Sequence, residues 1–473
     1  MTHDLKRIIQ ILVWGVVGAL ALAVGLLIQH RLWNLEREDE RVDRALERAA
    51  QTNQILREQI LLLENRASFE ALHGWVENSV AVLRGLPFRH AVAYRQLKRE
   101  ELRDYMLTKL RAQYSPEEFE HYERALKRLG LLPREVNLAR MVMELYSEQV
   151  AAFYDPDSHE LCTFEGLGLR NNFDRMVLAH ELVHALQDQH FDFSTLALRA
   201  KSNDDAALAA AALVEGDASF YMMRYVQGDY RAGGVMGDLG MLFSQQTDKL
   251  FSAPVFLRDT LLFPYQEGQA FVNAVYEAGG QARLDAAYRH PPQSTTQILH
   301  PEKYLTGQVE APVEVKVPGG LSSEWVLAHE NTVGELGIRS LFSPLMGNER
   351  AGSVAAGWRG DRYEVREKGK DRHLLIWQTV WESEEDAREF FDALEALYQD
   401  RYGTSEGEKT GMRGVAGKRS PRAVSVFFSI ASQRQNILLE GKNVTLLDVP
   451  DMAIMRQFFT RLKIRNSRFK VGK

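Results

Sequence analysis

A run of 21 uncharged residues, Ile8–Ile28 (IIQILVWGVVGALALAVGLLI), restricts this chain more than any other feature. At about 1.5 Å rise per residue it spans roughly 30 Å, the thickness of a bilayer's hydrocarbon core. Charges flank both ends and no polar stripe crosses it, which argues against a buried core helix. Ala21 and Ala23 offer a leader-peptidase-like site, but Val24–Ile28 carry the apolar run past it. The expectation is therefore an uncleaved, single-pass anchor in a cell membrane, preceded by a tail of residues 1–7. A short basic N-terminus with Lys6 and Arg7 against the run matches a signal-anchor, which leaves the body of the chain extracytoplasmic or periplasmic. Counting basic residues alone, with Arg31, Arg37, Arg41 and Arg44 on the far flank, points the other way.

Residues 29–70 read as a helical stalk. Leu46, Asn53, Ile60 and Ala67 fall on heptad a positions, and Val42, Ala49, Leu56 and Leu63 on d positions. Leu at d with a lone Asn at a specifies a parallel two-stranded coil, so a homodimer through the stalk is one expectation. A single long helix packing on its successors is the other.

The remainder is ordinary globular sequence. Hydrophobic residues make up 45% and charged residues 26% of 473, enough for a large core and for more than one domain. The net charge is -6 with acids and bases interleaved, so no basic face suggests a nucleic-acid partner. Cys162 is the single cysteine, which rules out a cysteine-cluster metal site and leaves His, Asp and Glu as ligands.

Those residue types meet in MVLAHELVHALQDQHF, where His180, Glu181 and His184 form H-E-x-x-H. The surrounding residues have helical period and no Gly or Pro, so both imidazoles lie on one helix face and can reach one Zn²⁺. Glu181, beside the first His, can take a proton from a metal-activated water as it attacks a carbonyl. Two His and a Glu on an otherwise apolar helix would be costly to bury without partners. A catalytic zinc needs a third protein ligand and an open position. His190 stands six after His184, as in metzincins, but Gln187 replaces the Gly that would turn that helix, leaving His190 about 120° off the face. Glu215 is the other candidate, within the Ala-rich helical stretch AALAAAALVEGDASFYMMRYV.

His180–His184 followed by Glu215-Gly216-Asp217-Ala218 resembles the gluzincin peptidases, whose second helix carries Glu-Gly-x-Ala. The resemblance implies Glu215 as third ligand, Glu181 as general base, and a zinc-dependent peptidase acting on a peptide or protein. It extends to a bacterial membrane-linked group through FYDP (Phe153–Pro156), HALQDQHFD (His184–Asp192) and PPQSTTQILHPEKY (Pro291–Tyr304), running from about Leu83 to the region of Ala355–Trp358. It also implies that the strand before the motif helix, within Ala151–Phe164, pairs with extended substrate. Asp188 and Asp217 are candidates to orient the ligand imidazoles. Tyr221, Tyr225, Tyr265, His300 and Tyr304 are candidate donors to a developing oxyanion, with Tyr265, His300 and Tyr304 preferred. A non-catalytic zincin-like scaffold of the cell envelope, and an amide hydrolase acting on non-peptide material, are the competing readings.

Ser115-Pro116-Glu117-Glu118 reads as a helix start, and Gly130 with Pro133 as its end. Ala151–Phe164 reads as a hairpin around Pro-Asp-Ser. Beyond Gly307, strands are expected at His373–Trp381, in AVSVFFSIA and in NILLEGKNVTLL, with helices from Ser383 and over Met452–Leu462, and Thr404–Lys418 as a loop. The expected fold is α+β: a helix-rich zincin-like core over 71–307, and an α+β domain with an antiparallel sheet over 308–473.

Overall fold

A computed structural model describes residues 69–149, 152–164, 172–228, 247–307, 311–317, 321–369, 371–402, 410–413, 419–430 and 433–461. The anchor and all but the last two residues of the stalk lie outside these. Among the described residues no helix is long and apolar enough to cross a membrane. The chain divides into a unit of 76–227 and 231–473 and a second of 1–75 and 228–230. Of the latter only 69–75 and 228 are described, as the ends of two helices.

In chain order the first part carries α1 (Phe69–Arg84), β1 (Ala93–Leu97), α2 (Arg99–Gln113), α3 (Pro116–Leu129), α4 (Leu138–Gln149), β2 (Ala152–Asp155) and β3 (Glu160–Phe164). Next come α5 (Asn172–Phe191), two 3-10 turns, α6 (Asp204–Gly228), α7 (Thr247–Ser252), α8 (Val255–Arg289), α9 (Thr295–Leu299) and α10 (Pro301–Thr306). Strand β2 pairs antiparallel with β3, the hairpin expected from sequence, and β1 adds in parallel to β3's other side, giving the order β1-β3-β2. Ser115 caps α3 in a full capping box with Glu118, and Gly130 closes the helix at φ 89°.

Helix α5 is apolar around most of its girth. Leu178, Ala179, Leu182, Val183, Ala185 and Leu186 are fully buried, so this helix runs through the core and does not lie on it. In α6, Asp204 and Asp205 complement the helix dipole at the start, and the alanines that follow favour helix and present a smooth surface. Helix α8 is two helices joined at Gly279 and Gly280, where Gly280 takes φ 63°.

The second part holds β4 (Val326–Asn331), α11 (Gly334–Met346), α12 (Asn348–Ala355), β5 (Trp358–Lys368), β6 (Arg372–Trp381), α13 (Glu384–Tyr402), β7 (Thr410–Arg413), β8 (Arg419–Ile430), β9 (Gln433–Glu440), β10 (Asn443–Val449) and α14 (Met452–Arg461). The strands form one antiparallel sheet, β4-β5-β6-β10-β9-β8-β7. The fold is α+β, as expected. The segment read as a loop over 404–418 contains β7, whose pairing with β8 overrides its Gly-rich composition.

Strand alternation sends Leu375 and Trp377 to one face and Leu374 and Ile376 to the other. The first face packs under α13 through Phe390, Phe391 and Leu394, and the second under α14 through Met455 and Phe458. The first core also takes in Leu126 and Leu129 of α3, Phe256 and Leu257 of α8, and Ile338 and Phe342 of α11. Elements on both sides of residue 307 thus share one apolar interior.

Candidate metal centre

Helix α6, which carries Glu215, lies side by side with α8. A Cβ on Gly216 of α6 would stand 2.3 Å from the backbone of Gly268 in α8, and one on Gly268 would stand 2.3 Å from the Ala212 carbonyl oxygen. This mutual absence of side chains lets α8 press against α6 on either side of Glu215's turn.

His180 and His184, one turn apart on α5, point toward Glu215 of α6. His180 Nε2 lies 3.1 Å from Glu215 Oε2 and 3.1 Å from His184 Nε2, and His184 Nε2 lies 3.3 Å from Glu215 Oε2. These side chains are 12%, 10% and 24% exposed, so the cluster is largely shielded but not sealed from solvent. A tetrahedral zinc with bonds of about 2.0–2.1 Å needs donor atoms about 3.3 Å apart. The observed separations fit that requirement, and among the described residues this is the one His/Cys/Asp/Glu cluster with metal-ligating geometry. The three atoms are arranged so that they could hold one metal ion, and without one an imidazole N–H donating to Glu215 satisfies the same contacts.

Glu181 does not join them. Its Oε2 accepts the backbone N–H of Tyr154 at 2.8 Å, which ties the carboxylate to β2. Burial pushes the Glu181 carboxyl up despite the two imidazoles nearby. Burial would do the same to Glu215, but the imidazoles of His184 and His180 hold it well below the usual carboxylate range. Burial works against a charged His184 ring, yet Glu215 outweighs it and raises the ring above its ordinary value.

The other candidates are placed as follows. His190 is turned off the cluster, with Nε2 on the Pro87 carbonyl oxygen at 2.8 Å, because α5 continues straight through Gln187. Asp188 accepts the Tyr154 hydroxyl at 2.9 Å and lies 3.0 Å from His159 Nδ1. Its bonds hold the β2–β3 hairpin to α5, in place of the imidazole contact expected of it. Asp217 is fully buried and accepts from Arg84, Tyr288 and Gln187, so it reaches His184 only through Gln187. Among the aromatic candidates, Tyr265 of α8 is beside the cluster, its ring stacked 6.1 Å from that of His180 and still exposed. His300 is engaged with Glu335 at 2.8 Å, and the Tyr304 hydroxyl donates to the His290 carbonyl oxygen at 2.7 Å. Tyr221 donates to Gln281, and Tyr225 is buried.

Two contributors escaped sequence reasoning. Gln187 holds His184 Nδ1 at 2.9 Å; its i+3 spacing from a ligand was the available signal. Tyr154 acts on Glu181 through its backbone, which no side-chain pattern reveals.

Residues 325–457 match a family described as a domain of unknown function, DUF8575. That region is the sheet and its helices, and it excludes the cluster. No curated protein matches the chain. A crystal structure from Chloroflexus aurantiacus, described as "a putative hydrolase with a novel fold", is 18% identical with a TM-score of 0.32, covering 55% of this chain and 97% of that one. A likeness at that score carries no weight for fold or reaction.

Proposed function

We propose that this protein is a zinc-dependent peptidase of gluzincin type, with His180, His184 and Glu215 as ligands and Glu181 as general base. The observation that carries the reading is the convergence of three donor atoms at 3.1–3.3 Å beside a half-buried carboxylate that is not one of them. A structural site would have no use for that fourth group.

A bound zinc would supply the Lewis acidity needed for water to attack an amide carbonyl. The chain supplies the rest. Glu181, steadied by the Tyr154 N–H, takes the proton from the attacking water and hands it to the leaving amine. Tyr265, beside His180, is the side chain best situated to donate to the developing oxyanion. Strand β2 lies at the edge of its sheet and is the element proposed to pair with an extended peptide. The anchor at Ile8–Ile28 belongs to the same proposal: the whole chain should resist alkaline extraction from membranes.

The test compares the wild type with Glu181→Gln for zinc content and for cleavage of a broad peptide library. Both should hold about one zinc, and only the wild type should cleave. A wild type that binds no zinc would overturn the proposal. Zinc bound with no cleavage by either form would favour the non-catalytic scaffold.

A further inference from the structure

We infer that Gln187 is a positioning residue that selects the tautomer of His184, as the last link of a buried relay running from Arg84 and Tyr288 through Asp217. The inference rests on the zinc reading only for the use to which the tautomer is put.

The argument is one of donors and acceptors. The Gln187 side chain is fully buried and bridges α5 to α6. Its Nε2 donates to the Val214 carbonyl oxygen at 2.9 Å and to Asp217 Oδ2 at 3.1 Å, neither of which has a proton to offer as a carbonyl or carboxylate. A flipped amide would set its oxygen against both, so Oε1 must face His184. Oε1 can only accept. The atom opposite it at 2.9 Å, His184 Nδ1, therefore carries a hydrogen, and in the neutral ring Nε2 is the nitrogen left with the free lone pair. That is the nitrogen lying 3.1 Å from His180 Nε2 and 3.3 Å from Glu215 Oε2.

Asp217 is kept as an acceptor by the donors on its other side. Arg84 Nε and Nη2 both stand 3.2 Å from its Oδ2, and the Tyr288 hydroxyl donates to the same atom at 2.7 Å. Arg84 is fully buried, and its Nη1 is fixed by Asp285 at 2.8 Å. A carboxylate is the usual partner of a ligand imidazole. Here a neutral amide stands in that place, and the negative charge sits one residue back beside a guanidinium. Because Val214 precedes Glu215, the same amide also ties the position of His184 to that of the third ligand.

The primary test needs no metal. In the zinc-free protein, at a pH where the ring is neutral, imidazole ¹⁵N shifts should report His184 as a single Nδ1–H tautomer. Gln187→Leu should mix the tautomers and weaken zinc binding, read by chelator competition, by about 10–100-fold. Gln187→Glu should be as damaging, since it faces Asp217 with a second carboxylate. Gln187→Met, of similar length but with no acceptor for the Nδ1 hydrogen, should lose affinity as Gln187→Leu does, which a purely packing role would not require. An Nε2–H tautomer in the wild type overturns the inference, as does Gln187→Met with wild-type affinity. If the variants fail to fold, the wild-type tautomer decides alone. A wild type with the Nδ1–H tautomer but no affinity for zinc supports the relay and overturns only the zinc reading.

Discussion

The charged groups of the centre are separated by task through small geometric differences. Glu181 and Glu215 are both half-buried carboxylates near two imidazoles, yet one is held by a backbone N–H of β2 and the other by the imidazoles themselves. Removing Glu181's proton-transfer capacity with Gln should lower kcat by about 10²–10⁴-fold, measured at saturating peptide with zinc content unchanged. Gly216 makes a sharper steric prediction. Alanine is ordinarily the better helix former by about 1 kcal/mol, but at this site its Cβ would overlap Gly268's backbone. Backbone cannot rotate aside, so Gly216→Ala should destabilise by about 1–3 kcal/mol or more, seen as a lower thermal midpoint. At this scale the sequence was informative wherever side-chain chemistry decides. His180, Glu181 and His184 could be singled out by their types and spacing, and Glu215 by the resemblance of Glu215-Gly216-Asp217-Ala218 to the gluzincin second motif; the structure brings His180, His184 and Glu215 together. The roles of Asp188 and Asp217 could not, because which acid reaches which ring depends on how α5, α6 and the hairpin pack.

Among the elements, the long periodic ones were legible and the short ones less so. Helix α3 announced itself through Ser115 and Gly130, and β6, β8, β9 and β10 through alternation and apolar runs bounded by turns. The pairing of β1 in parallel with β3 was not foreseeable, since 62 residues separate Leu97 from Glu160 and only tertiary packing joins them. The contact of α3 with β4 has a pH signature. His329 of β4 has its ring 5.3 Å from Tyr122 of α3, and burial drops it from an ordinary 6.5 to about 4. The unfolded chain then takes up this proton first on acidification. The stabilisation is complete above about pH 6.5 and is lost as pH falls toward 4, by about 3 kcal/mol in full. His329→Gln should flatten that part of the stability–pH curve, measured by urea titration at pH 7 and pH 4.5. A curve as steep in the variant as in the wild type would refute the assignment.

For the molecule as a whole, the proposed zinc couples function to stability. A ligand that binds only the folded chain stabilises it by about 2.7 kcal/mol at one hundred times its Kd, so chelation should lower the thermal midpoint and added zinc should restore it. Glu215→Ala should show a midpoint insensitive to chelator. Sequence character did change near residue 307, but a change in character is not a change in core. Phe256 and Leu257 of α8 belong to the same buried cluster as Trp358, Trp377 and Phe390 of the later half, so the apolar interior is indifferent to where the helices stop and the strands start. Anyone who cut the gene at that point, to obtain a tidy helical fragment or the sheet alone, would be sawing through a keystone: each half would come away with a bare oily wall, and sticky, insoluble product should be the outcome on the gel.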